Sequence, residues 1–477
     1  MEAGARAASP KVTTRQFLEL FSAVMLPMFL AVADQTLLAT ATPRIAAELG
    51  GLRDTTWIAL GYMIAVTITV PLYGRLGDRR GRRDMLMVAL AVFSAGSVGC
   101  GTARSLGWLV VARIVQGLGG GGLMVLSQAL IGEIVPGRER ARFQAWFAMN
   151  FTIASISGPL IGGLVVQHGD WRWLFLANIP LAALAAWRIT RLPAGDRNPG
   201  AALEDIGGIA LFAAAACALL VWLTFGGHRF DWLSLPSLVL GGTGLALAGL
   251  LAVRERRLDE PFLPVELLRQ RDIALMAATV ALFAACLFAI VFFLPIYLQL
   301  GYGARAAAAG LLLLPVTIGM VFGATVTGRY ISRTGRAGRL PPRGLLLAAV
   351  AIGALAFVPA QPWAVAPLCL LCGLGFGTVM PTSQVVIQSL AGRERLGASS
   401  SLVSLARSVG GALGTALFGA IAFGLMHGGG STTPSSIPGD GEAARQLAFA
   451  LRAMFCAVAA TALLASACAA RMRRIQL

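Results

Sequence analysis

The chain has 477 residues, of which 57% are hydrophobic and only 13% are charged, and its mean hydropathy is +0.75. A soluble chain carries about 25% charged residues, so the composition excludes an ordinary soluble protein and indicates a membrane protein. The formal net charge of +17 would suit a nucleic-acid partner, but no stretch is long enough to form the solvated basic domain that such a partner needs.

Fourteen apolar segments of spanning length follow one another along the chain. Lipid offers no hydrogen-bond partner to an open strand edge, so each segment is predicted to be a transmembrane helix in an all-α polytopic protein. The predicted spans are 17–39, 57–73, 85–102, 107–130, 144–166, 173–190, 207–225, 233–253, 273–299, 306–327, 344–360, 364–388, 398–425 and 446–468.

The distribution of arginine predicts the orientation. With the N-terminus placed inside, most of the 39 Lys and Arg residues fall on the cytoplasmic side. This positive-inside bias predicts two cytoplasmic termini in the cell (inner or plasma) membrane, and it accounts for the net charge without a polyanionic partner. Residues 1–15 are polar and precede a long apolar run, so they are interpreted as a retained cytoplasmic arm.

Two sequence repeats divide the chain into halves. Residues 74–82 and 328–336 share their Gly-Arg, Arg and Gly-Arg positions, and residues 158–162 resemble residues 410–414 at nearly the same offset. Paired six-helix halves are the architecture of secondary transporters, with the substrate site between them near the midplane. The predicted division is an N-terminal arm 1–16, a six-helix bundle 17–190, a linker 191–272 with two extra helices, a second six-helix bundle 273–468 and a tail 469–477.

Asp34 is the acid that stands out, because all other acids lie in loops or at helix ends by these boundaries. It is about 25 Å into the first span, where a carboxylate is costly and usually faces a cavity or a partner. It is interpreted as a proton or cation site; the alternative is a group that reaches the outer interface. Arg113 in span 4 has a similar depth and is the predicted counterpart, unless it is purely structural. Arg407 in span 13 is a weaker candidate.

The connection after span 2 combines glycines with charges. Its glycines would allow close helix approach, and its single aspartate would pair with arginine or stabilise a helix N-terminus. We interpret this cluster as a conformational gate, whereas topological charge alone would explain the arginines but not the glycine spacing. The gate residues are Gly74, Asp78, Arg79, Gly81, Arg82 and Arg83.

Three further patterns bear on function. In span 5, Gly158, Pro159, Gly162 and Gly163 predict a bendable helix at a moving interface. Residues 117–122 match G-x-G-x-x-G, but they lie in an apolar helix and are interpreted as packing glycines, not as a nucleotide site. The C-x-x-C spacing at 369–372 lacks partner ligands, so neither a metal nor another cofactor is predicted.

These motifs resemble the major facilitator superfamily, in particular its fourteen-span drug:proton antiporters, over essentially the whole chain. Residues 34–36 with 41–43 are similar to the span-1 motif, with Thr42 in place of the usual leucine. Residues 74–83, 113–117, 158–163 and 171–180 resemble the loop motif, the span-4 motif, the span-5 antiporter motif and a further family-like run.

The resemblance implies a major facilitator fold of two six-helix bundles plus two extra central helices. It implies alternating access, with proton coupling at Asp34 and Arg113 and with a substrate cavity to which Thr36, Gln116 and Arg407 could contribute. The predicted function is proton-coupled efflux of lipophilic drugs, antibiotics or related molecules. Because the second half has no acid at membrane depth, the substrates are expected to be neutral, anionic or singly charged.

Several alternatives stay open. The chain could export one endogenous metabolite or act as a proton-coupled importer. An enzyme is disfavoured because the three histidines lie near the external face without an H-E-x-x-H pattern, and a sensor is disfavoured because no soluble signalling domain is apparent. The expected partners are a small-molecule substrate, protons and lipid. A monomer is expected, and a periplasmic adaptor and the role of the external loop 426–445 are left open.

Overall fold

The computed structural model describes most of the chain as helix. The described residues are 14–49, 55–135, 137–193, 205–226, 230–231, 234–258, 263, 265–302, 311–358, 361–424 and 441–472. Within these ranges a few side chains are left undescribed, among them those of two predicted site residues, Thr36 and Pro159. The external loop 426–445 lies outside the described residues up to position 440.

Seventeen α-helices and one 3-10 turn, Arg393–Arg395, make up the described secondary structure beside an isolated bridge between Gly226 and Phe230. The helices are α1 Thr14–Leu49, α2 Thr56–Arg80, α3 Arg82–Gly101, α4 Leu106–Ile134, α5 Gly137–His168, α6 Arg172–Leu176, α7 Asn178–Thr190, α8 Ile206–Phe225, α9 Leu235–Glu255, α10 Val265–Arg269, α11 Arg271–Tyr302, α12 Leu314–Thr334, α13 Leu340–Leu355, α14 Pro362–Phe376, α15 Val379–Ala391, α16 Leu396–Gly424 and α17 Gly441–Ala470.

Each predicted span overlaps a helix among the described residues, although the ends and continuity differ. Positions 233, 306–310, 359–360 and 425 of the predicted spans lie outside the described residues, and α12 begins only at Leu314. Several helices run past their apolar segments, as α2 does from the predicted end at 73 to Arg80, because backbone hydrogen bonding continues into polar flanks. Spans 6 and 12 are each divided, into α6 with α7 and α14 with α15. Ten stretches within the described ranges are long and apolar enough to cross a bilayer, so the all-helical membrane architecture is established and the count of fourteen stays a prediction.

Two groups of helices form the body of the molecule. In the N-terminal group (α1–α7), α4 packs on α2 and α3, and α1 packs on α5 and α7. In the C-terminal group (α11–α17), α11 packs on α16 and α17, and α14 packs on α12 and α13. The groups meet where α5 contacts α12 and where α2 and α4 contact α16.

The two extra helices lie at the periphery. They pack on each other, and α8 also contacts α2 and α16. Only 11% of the apolar window of α8 is buried, against 72% for α4, so α8 and α9 are central in the sequence but face lipid over most of their surface. Asp205 caps α8 by accepting from the Gly208 backbone N–H at 2.7 Å, and it also pairs with Arg254 of α9.

The glycine run of α4 is buried between neighbouring helices. A Cβ at Gly119 would lie 2.3 Å from the Phe93 backbone nitrogen, and one at Gly121 would lie 2.3 Å from Thr69 Oγ1. Close approach of α4 to α3 and α2 therefore requires glycine here, which is the packing role that the sequence favoured over a nucleotide site.

Candidate functional site

The centre of the N-terminal group contains an acid–arginine pair. Asp34 of α1 and Arg113 of α4 form an ion pair in which only 2% and 1% of the side chains are exposed. Gln116, one turn after Arg113, accepts from Arg113 Nη1 at 2.8 Å and donates through Nε2 to Asp34 Oδ1 at 2.8 Å. Helix periodicity places Arg113 and Gln116 on one face of α4, so both side chains reach the same carboxylate.

Further groups close the network around this pair. Ser97 of α3 accepts from Gln116 Nε2 at 2.8 Å, and Asn178 of α7 donates to Asp34 Oδ1 at 3.3 Å. The Arg113 guanidinium lies 4.3 Å from the ring centroid of Tyr62 and donates through Nε to the Ile58 carbonyl at 3.4 Å. All these partners belong to the N-terminal group, which can therefore carry the ion pair as one unit.

The network satisfies the hydrogen-bonding groups of the buried pair. A buried ion pair is tolerated only when its remaining donors and acceptors are satisfied, and here Asp34 accepts from three different side chains. If the carboxylate took up a proton, Arg113 would become an uncompensated buried cation. The pair and its network therefore depend on each other.

A second acid–arginine pair lies where α2 turns into α3. Asp78 Oδ1 accepts from Arg82 Nη2 at 2.7 Å and from the Gly397 backbone N–H at 2.7 Å, and Oδ2 accepts from the Ala398 N–H at 2.9 Å. These two amides are the free donors at the start of α16, so the carboxylate caps a helix of the C-terminal group. We call the end of the bundle that contains this contact and Arg393–Arg395 the arginine-rich end.

Arg82 extends the same contact. Its Nη1 donates to Glu133 Oε2 of α4 at 2.8 Å, and its Nη2 donates to the Arg393 carbonyl at 3.1 Å. Burial, together with the nearby cations Arg393 and Arg82, lowers the pKa of Arg140 to about 10. Arg82, Arg140 and Arg393 are thus close enough to repel one another, while Asp78 and Glu133 attract Arg82, so the contact combines attraction with repulsion between like charges.

The predicted gate glycines have different local functions. A Cβ at Gly74 would lie 2.7 Å from the Gly397 carbonyl oxygen, so glycine allows α2 to touch α16 there. Gly81 has a φ of 98°, which lets the chain turn from α2 into α3 without the strain that a side chain would cause. Arg79 is partly exposed beside this turn, and Arg83 donates to the Thr190 carbonyl at 2.8 Å.

The span-5 glycines lie on α5, which contacts the C-terminal group through α12 and α15. Gly158 and Gly162 are buried, whereas Gly163 is partly exposed, and a Cβ there would meet nothing within 4 Å. Close packing therefore does not require glycine at Gly163. The Pro159 side chain lies outside the described residues, as does that of Thr36.

The remaining cavity candidate, Arg407, lies between the groups. Its Nη2 is 4.0 Å from the Met124 sulfur of α4. Closer to the arginine-rich end, Gln388 Nε2 donates to the Gln128 carbonyl at 3.3 Å and to Ser400 Oγ at 3.1 Å. Together with the Asp78 contact, they extend the interface between the two helix groups from the arginine-rich end toward the middle of the bundle.

Sequence reasoning missed several members of both clusters. Ser97 has no distinguishing sequence signal, and Asn178 was noticed only within the family-like run 171–180. Glu133 and Gln388 are polar residues near helix ends, where polar residues are ordinary. Only the packing of α4 and α15 against their neighbours reveals what they bind.

A polytopic bundle made of two packed helix groups is the architecture of secondary membrane transporters. The profile of the Major Facilitator Superfamily matches residues 24–415, and the chain therefore belongs to this superfamily. It is a multi-pass membrane protein that acts on small-molecule substrates, and it is not an enzyme.

Three known proteins illustrate the similarity. The chain is 32% identical over 411 residues to the multidrug transporter protein MdtP of Bacillus subtilis (84% of this chain and 74% of that one). It is 28% identical over 409 residues to multidrug resistance protein 3 of Bacillus subtilis (83% and 78%). The structure of the human organic anion transporter MFSD10 (TETRAN) superposes with a TM-score of 0.67 at 15% identity over 97% of this chain and 100% of that chain, which indicates the shared fold alone.

Proposed function

We propose that this protein is a proton-coupled efflux transporter that exports lipophilic small molecules, drugs or antibiotics among them, by alternating access. The observation that carries the proposal is the buried Asp34–Arg113 pair, whose partners all lie in one helix group. Membership of the superfamily and the similarity to multidrug transporters support the direction of transport.

The coupling step is protonation of Asp34. When a proton arrives, the attraction between Asp34 and Arg113 is lost, and the network of Gln116 and Asn178 must rearrange. Because the network belongs to the N-terminal group as a unit, its rearrangement changes how that group packs on the C-terminal group. One charge that crosses 100 mV releases about 2.3 kcal/mol, so a single protonatable site can drive a useful substrate gradient.

The gate in this proposal is the contact at the arginine-rich end. That end is cytoplasmic under the positive-inside interpretation, which places both termini in the cytoplasm and the protein in the cell membrane. Substrate would enter from the cytoplasm only when Asp78 releases the start of α16 and when Gly74 separates from Gly397. Gly158, Pro159 and Gly162 would allow α5 to adjust as the groups move.

The moving units would be the bundles 17–190 and 273–468, joined by the linker 191–272 with α8 and α9. We expect the protein to work as a monomer. The cavity would lie between the bundles, with Thr36, Gln116 and Arg407 as candidate lining residues.

The proposal is tested in vesicles that contain the purified protein and a fluorescent lipophilic substrate, with an imposed pH gradient. Wild type should move label in the export direction while the gradient collapses. Asp34→Asn should abolish both movements. The matched control is Glu48→Gln, which neutralises another acid of α1 whose partner Arg172 lies at the surface.

Each outcome has a clear meaning. If Asp34→Asn still collapses the gradient during export, Asp34 is not the coupling site. If wild type moves label only in the opposite direction, the protein is an importer and the efflux proposal is wrong. Loss of transport in the Glu48→Gln control would show that neutralising any acid of α1 damages the protein.

A further inference from the structure

Arg407 is an arginine in the middle of a membrane helix. It lies 11 residues after Leu396, the first residue of α16, which corresponds to about 16 Å along the axis. Val409 is 50% exposed on the lipid-facing side of α16, and residues two apart are roughly 200° apart around a helix. Arg407 therefore faces nearly away from Val409, toward the contact with the N-terminal group.

Arg407 has no counterion among the described residues. The polar contact of its guanidinium is the Met124 sulfur at 4.0 Å, and no carboxylate lies within ion-pair distance. Arg113, which is fully buried, has an acid, an amide and an aromatic ring around it, whereas Arg407 is half-buried between the helix groups. An unpaired cation at membrane depth is expensive, so a protein that keeps one has a use for its charge.

The Gln384 side chain, at a depth close to that of Arg407, has polar atoms without hydrogen-bond partners in the described structure. Gln384 of α15 is fully buried, and neither its Oε1 nor its Nε2 has a hydrogen-bond partner within the described structure. Gln388, one turn after Gln384, donates a hydrogen bond to Ser400 of α16. By helix rise from this contact toward the membrane centre, Gln384 lies about 6 Å away along α15 and Arg407 about 10 Å away along α16. Such atoms cost free energy in this state unless another molecule satisfies them.

We propose that Arg407 binds the anionic group of an amphiphilic substrate, so that the transporter takes lipophilic monoanions such as carboxylates. This inference rests on the efflux function proposed above and specifies its substrate class. The charge-assisted hydrogen bonds of the guanidinium match a carboxylate, and Gln384 supplies a further donor at a similar depth. The apolar body of the substrate would lie against side chains such as Met124, while strongly hydrated dianions would lose too much solvation to enter.

The charges of the two central arginines then have separate uses. Arg113 is neutralised by Asp34 and serves proton coupling, whereas Arg407 is neutralised by substrate. By helix rise along α4, Arg113 and Met124 are about 16 Å apart, so the substrate anion at Arg407 does not compete directly with Asp34.

The test is a binding experiment on the purified full-length protein in nanodiscs. Pyrenebutyrate and its methyl ester share one apolar body and differ only in the charge, and energy transfer from tryptophan to pyrene reports binding. The variants are Arg407→Gln and Arg407→Lys, with Arg333→Gln as the control because Arg333 is an exposed arginine near the end of α12. Empty nanodiscs correct for partition of the probes into lipid.

Wild type should prefer the carboxylate, and Arg407→Gln should weaken carboxylate binding about tenfold or more while ester binding stays within about twofold. Arg407→Lys should retain an intermediate preference. Equal weakening of both probes, unchanged carboxylate binding in Arg407→Gln, or no preference in wild type would overturn the inference. The assay uses no pH gradient, so a failure at Arg407 is distinguishable from a failure of coupling at Asp34.

Discussion

Two of the acid–arginine pairs among the described residues, Asp34–Arg113 and Asp78–Arg82, use the same chemistry in different parts of the fold. Asp34 and Arg113 are enclosed by partners from α1, α2, α3, α4 and α7, all within the N-terminal group. Asp78 and Arg82 also pair within that group, but Asp78 uses its remaining acceptor capacity on the first amides of α16. The first pair holds one group together, and the second joins the two groups.

Because the two pairs differ in this way, the same kind of substitution should have a different effect at each pair. Breaking contacts inside a group changes what that group can bind or protonate, while its packing on the other group is affected only indirectly. Breaking contacts between groups changes the balance between conformations directly. A transporter needs both, because a coupling site must titrate and a gate must open.

The largest effect on conformation is expected for Asp78→Asn. Removing one partner of a buried pair costs about 3 kcal/mol, which corresponds to roughly a hundredfold change in the population of the closed arginine-rich end. Cysteines introduced next to Gly397 should become accessible to a polar thiol reagent, and export should slow while substrate binding persists.

The control for that experiment is Asp84→Asn, which removes the same charge in the first turn of α3. It should leave accessibility unchanged. If Asp78→Asn stays as inaccessible as wild type, the contact with α16 does not hold the end closed, and the comparison between the two pairs fails.

A smaller effect is expected from Gly74→Ala. The new Cβ would lie 2.7 Å from the Gly397 carbonyl oxygen, so α2 and α16 must separate, at a cost of about 1–3 kcal/mol. Gly163→Ala adds the same methyl group to a helix where nothing lies within 4 Å.

Comparing the two variants isolates the effect of the contact between α2 and α16, because both substitutions raise the helix propensity by the same amount. Gly74→Ala should raise accessibility at the arginine-rich end and lower the export rate severalfold, and Gly163→Ala should do neither. Loss of export in Gly163→Ala would mean that this position closes against a neighbour in another conformation.

The smallest effect is expected at a third acid–arginine pair, on the surface. Arg172 donates to Glu48 Oε1 at 2.7 Å, and Glu48 is 43% exposed, so the pair contributes at most about 1 kcal/mol. Hydrogen bonds from Arg172 and then Trp171 lower the pKa of Glu48 from its ordinary value of 4.5.

A lowered pKa in the folded state stabilises the protein above the ordinary pKa, and this contribution is lost as the pH falls through the lowered pKa. The thermal unfolding temperatures of wild type and Glu48→Gln in detergent should therefore differ slightly at pH 7 and converge below pH 4.5. A large difference at pH 7, or one that grows in acid, would contradict the assignment of this pair to the surface.

Much of the architecture could be predicted because membrane insertion leaves a direct mark on sequence. Apolar segments of spanning length predict helices, since the bilayer permits little else, and each of these segments overlaps a helix in the part of the chain that the structure describes. Asp34 and Arg113 could also be singled out from the sequence, because charged residues are costly to bury in a membrane and are therefore rare there. Helix ends were less predictable, because α1 and α2 extend into polar flanks where composition no longer marks the helix.

The partners of the site residues were beyond sequence reasoning. Ser97 and Asn178 are ordinary polar residues until α3 and α7 bring them beside Asp34. The break between α14 and α15 is similar, since Gly375 and Gly377 are positioned by close contacts with α13 and α12 that no local pattern encodes.

By itself, the sequence determined that this is a helical membrane protein with rare charges at depth, and it predicted two related halves. Solvation explains this, because the free energy of transferring a segment into lipid depends on the residues of that segment and not on its neighbours. Only the tertiary structure decided which charges are satisfied. Asp34 and Arg113 neutralise each other within one group, Asp78 reaches across to α16, and Arg407 has no acid beside it among the described residues, because pairing depends on which helices pack together and at what depth.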